Sequence, residues 1–268
     1  MCYLCSMKKQ VIIVGASSGI GRELALLFLQ KGWRVGLAAR REKCLEEIRT
    51  QYPSQVEYES IDIDKPECTE HFQRLIERVG GMSLYLHVAG IGKQNIELKP
   101  EIEESTVQTN GLGFVRMVGY AYRYFSTHGG GHIAAISSIA GTKGLGVAPS
   151  YSATKAMQGN YLQALDQLAR MQKIPVVITD IRPGFVDTPL LQDSPSSRAQ
   201  SVTSTNGAQG YYYPMLMNAQ KVAMKVVRAI EKKRRVVVID CRYTVLTFFW
   251  RLIPNWLWVR LPIRTRQK

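Results

Sequence analysis

Within the stretch APSYSATKAMQGNY, Tyr151 and Lys155 stand four residues apart. On a helix that spacing puts both on one face, a single turn apart. A phenol ordinarily ionises near pH ~10, too high for acid–base work near neutrality. An ammonium beside it favours the phenolate and lowers that value. The small neighbours Ser152, Ala153 and Ala156 leave room around the pair. The pair is therefore either an ordinary surface contact or a proton-transfer unit.

A second group of residues lies near the start of the chain. The apolar run QVIIV (Gln10–Val14) leads into GASSGIG, comprising Gly15, Ala16, Ser17, Ser18, Gly19, Ile20 and Gly21. Glycines here let the backbone turn sharply and approach a pyrophosphate, and the following helix start supplies N–H groups and partial positive charge. No Gly-Lys-Ser/Thr follows, so this is not a P-loop of the nucleoside-triphosphatase type. The next apolar run, Arg34–Ala39, ends in Arg40-Arg41. A free ribose 2′-hydroxyl calls for a carboxylate at this point, and a 2′-phosphate calls for arginine. Guanidinium pairs well with phosphate oxygens, and Ser17 can donate to the same group. The residues predict NADP(H) in preference to NAD(H); the competing reading is that the two arginines merely open a solvated helix.

The elements that must position these groups alternate. Strands are predicted at 10–14, 34–39, 56–61, 84–88, 132–137, 175–181 and 236–240. Helices are predicted at 20–30, 42–52, 67–79, about 101–127, about 148–172 and 219–232. Short apolar runs alternating with amphipathic helices imply an α/β fold, a parallel sheet with helices on both faces. Right-handed crossovers make it a three-layer doubly wound sheet of about seven strands. No internal repeat or Pro/Gly-rich linker divides the chain. It reads as a single dinucleotide-binding domain over 7–241 with an extension over 242–268. The polar stretch Leu190–Gly210 reads as a loop or lid, part of a substrate loop at about 189–217.

The 268 residues carry a net charge of +14, and the charge is uneven. From Lys221 onward there are thirteen Lys and Arg against Glu231 and Asp240. Five scattered cysteines argue against a disulfide framework and fit a reducing, cytoplasmic setting. Cys2 and Cys5 form a lone CxxC without a second half, and the four histidines lack metal-ligand spacing, so no metal is expected.

Together these motifs resemble the short-chain dehydrogenase/reductase family over roughly Gln10–Asp240. The resemblance rests on GASSGIG, Asp62 after the third strand, Ala89-Gly90 after the fourth, SSIAG at Ser137–Gly141, YSATK at Tyr151–Lys155, and PGFVDT at Pro183–Thr188. It implies a Rossmann-type oxidoreductase moving hydride between a nicotinamide and a carbonyl or secondary alcohol. Ser138, Tyr151, Lys155 and Asn110 match the catalytic tetrad, and Asn110 is implied to help resupply a proton through Lys155. Asp62 and Ile63 match the adenine contacts. Pro183, Gly184, Val186 and Thr188 match the segment at the carboxamide. The family's usual Thr before the glycine turn is here Val14, and its NNAG is here His87-Val88-Ala89-Gly90. His87 is read as a structural histidine.

The resemblance also gives the chemistry a reason. Hydride arriving at a carbonyl carbon builds negative charge on oxygen, which needs a proton and hydrogen bonds. Tyr151 is the proton donor, Lys155 tunes it, and Ser138 holds the substrate oxygen. Ser137 competes with Ser138 for that place, since consecutive extended residues face opposite ways. Other readings are a non-catalytic NADP(H) sensor, and a membrane-surface reductase of a long-chain lipid ketone.

The extension YTVLTFFWRLIPNWLWVRLPIRTRQK mixes aromatics and Leu with Arg251, Arg260, Arg264 and Arg266. The arginines and two prolines oppose a membrane span. The aromatics suit either an anionic membrane surface or packing on the substrate cleft or another subunit. Expected partners are a small carbonyl or alcohol substrate and further copies in a homodimer or homotetramer, with no nucleic acid.

Overall fold

A computed structural model of the chain describes residues 8–192, 213 and 215–262. The Cys2–Cys5 pair, most of the polar stretch, Tyr211, Tyr212, Arg264 and Arg266 lie outside the described residues. The first half alternates as β1 (Gln10–Val14), α1 (Gly19–Gln30), β2 (Arg34–Ala39), α2 (Glu42–Gln51), β3 (Val56–Ser60), α3 (Cys68–Val79) and β4 (Leu84–His87). Then come α4 (Pro100–Val107), α5 (Phe114–Thr127), β5 (Gly131–Ile136), α6 (Pro149–Met171) and β6 (Val176–Arg182). The remainder holds β7 (Val186–Asp187), α7 (Pro189–Gln192), β8 (Met217–Asn218), α8 (Ala219–Glu231), β9 (Val236–Val238), α9 (Cys241–Leu252) and α10 (Asn255–Trp258).

Seven strands form one parallel sheet in the order β3-β2-β1-β4-β5-β6-β9, while β7 and β8 pair separately. The central strands are apolar throughout because helices cover both faces. In β1, Val11 and Ile13 join one core with Leu24, Phe28, Val226 and Ile230. Ile12 and Val14 join the other with Phe72, Phe114 and Leu162. Burying each such side chain is worth about 1.5–3 kcal/mol. The order reverses beside β1: β2 lies on one side and β4 on the other. Connections leaving neighbouring strands in opposite directions open a crevice at the carboxyl ends of the strands.

The helix predicted over 101–127 is two helices. Between α4 and α5 lies a π-helical turn, Gln108–Gly113. Such turns free backbone groups from the regular ladder, and here the Asn110 carbonyl accepts from the Gln158 side chain at 2.8 Å. The last strand stops at Val238, short of the predicted Asp240. Asp240 instead caps α9, its carboxylate accepting from the Arg242 N–H at 3.0 Å. That cap turns the chain from the sheet edge into a helix, which a strand-like run of valines does not announce.

Candidate active site

A cavity of about 860 Å³ occupies the crevice. Its walls include the glycine turn, Arg40 and Arg41, Asp62 and Ile63, Ala89 and Gly90, Ser138, Tyr151, Lys155, and Pro183, Gly184, Val186 and Thr188. Asn110 and Gly21 belong to the same region but lie behind its wall rather than on it.

The glycine turn fits a dinucleotide for steric reasons. Gly15 has φ +94°, and a Cβ there would lie 2.5 Å from the Ala89 nitrogen. A Cβ on Gly21 would lie 2.1 Å from the Gly15 carbonyl oxygen. Only glycine at these two places lets α1 start directly against β1 and β4. The first turn of α1 carries no acidic residue, so its N–H groups and dipole face the cavity without a competing anion. Arg41 folds back onto the turn, donating to Ser17 Oγ at 3.0 Å and to Ser18 Oγ at 2.5 Å. Arg40 and Arg41 are both exposed on the cavity rim. This rim of the cavity is cationic.

Helix α6 puts Tyr151 and Lys155 on one face, with the Lys155 Nζ 5.8 Å from the centre of the Tyr151 ring. Ser138 follows β5 and caps the 3₁₀ turn Ile139–Thr142, its Oγ accepting from the Ala140 N–H at 3.1 Å. The same hydroxyl is hydrogen-bonded to Tyr151, which favours the phenolate, but burial outweighs it and pushes the phenol above its ordinary value. The sequence expectation of a lowered phenol therefore does not describe the protein alone. The reason is the phenol's own burial. Lys155 is buried too, which lowers its ammonium to about 8, while the Asp180 carboxylate opposes that fall.

Ser137 turns the other way and donates to the Asp180 carboxylate. Asp180 also takes the Arg182 guanidinium at 2.6 Å. Of the two serines, only Ser138 lies against Tyr151. Ser138→Ala is accordingly expected to lower carbonyl-reducing kcat by about 10²-fold, the lower end for a hydrogen-bonding group at a developing oxyanion. Ser137→Ala should leave kcat within about threefold and instead lower the unfolding free energy by about 1–3 kcal/mol, because a buried carboxylate loses a donor. Steady-state kinetics with thermal melts of both variants separate the two roles.

Asn110 is fully buried. Its side chain clamps the Ile91 backbone, accepting from its N–H at 2.9 Å and donating to its carbonyl at 2.7 Å. Its link to Lys155 passes through a residue that sequence reasoning missed. Gln158 accepts from Lys155 Nζ at 3.0 Å and donates to the Asn110 carbonyl at 2.8 Å. The available signal was its spacing: three residues beyond Lys155, it shares the inward face of α6. His87 is buried and lies outside the cavity wall. Its Nδ1 meets the Tyr85 hydroxyl at 2.8 Å, its Nε2 has no hydrogen-bond partner among the described residues, and burial with the nearby Lys155 holds its pKa at about 3.

Comparison with known proteins decides the family. The family model described as short chain dehydrogenase matches residues 9–199. The chain is a short-chain dehydrogenase. An uncharacterized oxidoreductase of Mycobacterium tuberculosis is 28% identical over 271 residues, covering 97% of each chain. Two solved structures share the fold. A short-chain dehydrogenase from Sphingobium yanoikuyae in complex with NADPH has a TM-score of 0.71 and 19% identity, covering 96% of this chain and 98% of its own. An alcohol dehydrogenase from the archaeon Thermococcus sibiricus, complexed with 5-hydroxy-NADP, has a TM-score of 0.68 and 23% identity, covering 88% and 97%.

In this dehydrogenase the C-terminal extension reaches the site. Tyr243 of α9 is buried, its hydroxyl accepting from the Phe185 N–H at 3.1 Å and donating to the Met215 carbonyl at 3.2 Å. Leu246 and Trp250, on the same helix face, line the cavity. At the end of α10, Trp258 donates its indole N–H to the Gly144 carbonyl at 2.7 Å. Lys143 grips the Ile253 carbonyl at 3.0 Å and Asn255 Oδ1 at 2.8 Å. The reading of the aromatics as cleft packing thus describes the inner face of α9, while its outer face is exposed.

Proposed function

We propose that this short-chain dehydrogenase is an NADP(H)-dependent carbonyl reductase, running in reverse as a secondary-alcohol dehydrogenase. One observation carries the reading: Tyr151, between Ser138 and Lys155, opens on the same cavity as the glycine turn and its two arginines. The nicotinamide, when bound, supplies hydride to a carbonyl carbon. Arg40, Arg41 and Ser17 hold the 2′-phosphate. Asp62 and Ile63 take the adenine, Ala89 and Gly90 let the dinucleotide pass close to the backbone, and Gly184, Val186 and Thr188 hold the carboxamide. The Ser138 hydroxyl bonds the carbonyl oxygen and aims it at Tyr151, which donates the proton. Burial keeps that phenol protonated across the neutral range, so it is loaded as a donor. Lys155 stabilises the phenolate left behind, and its ammonium is held by the Ile136 carbonyl at 3.1 Å and by Gln158.

The pH dependence follows from Lys155. Its ammonium is lowered to about 8, so the charged form is complete below that pH and is lost above it. The kcat/KM for carbonyl reduction is expected to fall as pH rises through about 8. Gln158→Leu removes an acceptor from the charged form and is expected to move the break to lower pH. A profile flat to pH ~10, the ordinary lysine range, would contradict the role given to Lys155.

The whole reading is tested by incubating the purified protein with NADPH deuterated at the transferable position and a panel of ketones and aldehydes. Label appearing on the carbinol carbon supports it. Tight NADPH binding with no label transfer to any substrate supports a cofactor sensor and overturns it. Self-association belongs to the same reading: Met157 and Met171 on α6 and Leu112 beside it are exposed. Light scattering at a dimer or tetramer mass is the expected result.

A further inference from the structure

Helix α9 is apolar on two opposite sides. Its inner side carries buried Tyr243 and the cavity-lining Leu246 and Trp250. Its outer side carries Val245, Phe248, Phe249 and Leu252 at i, i+3, i+4 and i+7, with exposures of 57%, 59%, 57% and 62%. The chain beyond Pro254 extends this surface with Trp256 at 62% and Val259 at 78%. Exposed apolar residues scattered singly need no explanation, but a contiguous stripe along one helix face marks a contact surface. A helix apolar on all sides is stable only where both sides are covered.

Charge selects what covers it. Arg251 and Arg260 are exposed within the same segment, and the Arg260 guanidinium lies 5.5 Å from the centre of the Trp256 ring. No Asp or Glu occurs after Asp240. A second copy docked about a two-fold axis would set this patch against itself, arginine facing arginine with no carboxylate from the extension to pair it. An anionic bilayer offers apolar depth to Phe and Leu, an interfacial zone to Trp, and negative headgroups to Arg. No described helix is long and apolar enough to cross a membrane, which matches a segment lying along the surface.

We infer that the outer face of α9, with the Trp256–Val259 turn, docks on an anionic lipid bilayer, and that the cavity behind it takes a long-chain apolar carbonyl compound drawn from that bilayer. The second part rests on the reductase reading. Leu145, Val147, Phe185, Leu246 and Trp250 line the cavity with apolar side chains, Leu246 and Trp250 from α9 itself. Docking would leave this α9 wall of the cavity one helix, about 10 Å, from the lipid.

The test uses the full chain with vesicles of phosphatidylcholine alone or mixed with phosphatidylserine. Co-sedimentation is expected with the mixed vesicles, weakening as salt rises. The double variant Phe248→Asp/Phe249→Asp, and separately Arg251→Glu/Arg260→Glu, should each lose about tenfold or more in vesicle affinity, since each basic side chain at the surface contributes a several-fold factor. Both variants should keep the unmutated rate on a short water-soluble ketone and lose rate on a long-chain ketone presented in the mixed vesicles. Failure of the unmutated chain to sediment, or variants that sediment as well as it does, overturns the docking. A dimer that the variants dissolve, without vesicle binding, assigns the face to a second copy and also overturns it. Equal long-chain rates in variant and unmutated protein overturn the bilayer supply. No reduction of any ketone while vesicle binding holds rejects the reductase reading alone.

Discussion

Tyr151→Phe is expected to lower kcat for hydride transfer by about 10²–10⁴-fold, the range for removing a positioned general acid. In the proposed reaction the phenol is the proton donor at the cavity wall, and neither neighbour replaces it. Ser138 has a hydroxyl of far higher pKa, suited to hydrogen-bonding the substrate oxygen rather than to giving up its proton. Lys155 is held by Ile136 and Gln158. Phe keeps the ring that packs beside Gly92, where a Cβ would come within 2.6 Å of it, so the fold and NADPH affinity should persist. The check is paired: stopped-flow hydride transfer and a fluorescence titration with NADPH. A variant as fast as the unmutated protein would return Tyr151 and Lys155 to an ordinary contact.

The second large effect concerns the cofactor. Arg40→Asp/Arg41→Asp is expected to cost about 10²-fold or more in kcat/KM for NADPH, because each hydrogen bond to a charged group is worth about 1.5–3 kcal/mol and reversing the sign at two positions adds repulsion. The kcat/KM for NADH should change by less than about fivefold, since the 2′-hydroxyl form has no charge to lose there. Arg41 also bonds Ser17 and Ser18. Arg41→Ala therefore serves as a check: preserved NADH turnover means the glycine turn kept its shape. Equal efficiency of NADPH and NADH in the unmutated protein would reject the assignment.

Much of this was legible because the signals were local. The apolar runs at Gln10–Val14 and Arg34–Ala39 are strands of the sheet, and the alternation of strands and helices carried the doubly wound fold. YSATK lies on one helix because a four-residue spacing is a property of any helix. Other features were not local. The break at Gln108–Gly113 depends on what the Asn110 side chain meets across the structure, at Ile91. Periodicity along one segment has no access to that partner.

The residue types and their order determined the family, the doubly wound sheet, the glycine turn with its paired arginines, and the pairing of Tyr151 with Lys155. These follow from backbone sterics, apolar period and charge, which act over a few residues. The tertiary structure alone decided the rest. It turned Ser138 to Tyr151 and Ser137 to Asp180. It set Gln158 between Lys155 and Asn110. It laid one face of α9 on the cavity and left the other exposed. It also raised the phenol that an adjacent ammonium was expected to lower. Burial causes that reversal: removing water from both groups penalises both charges, and the depth of burial is set by the whole fold rather than by the spacing of two residues.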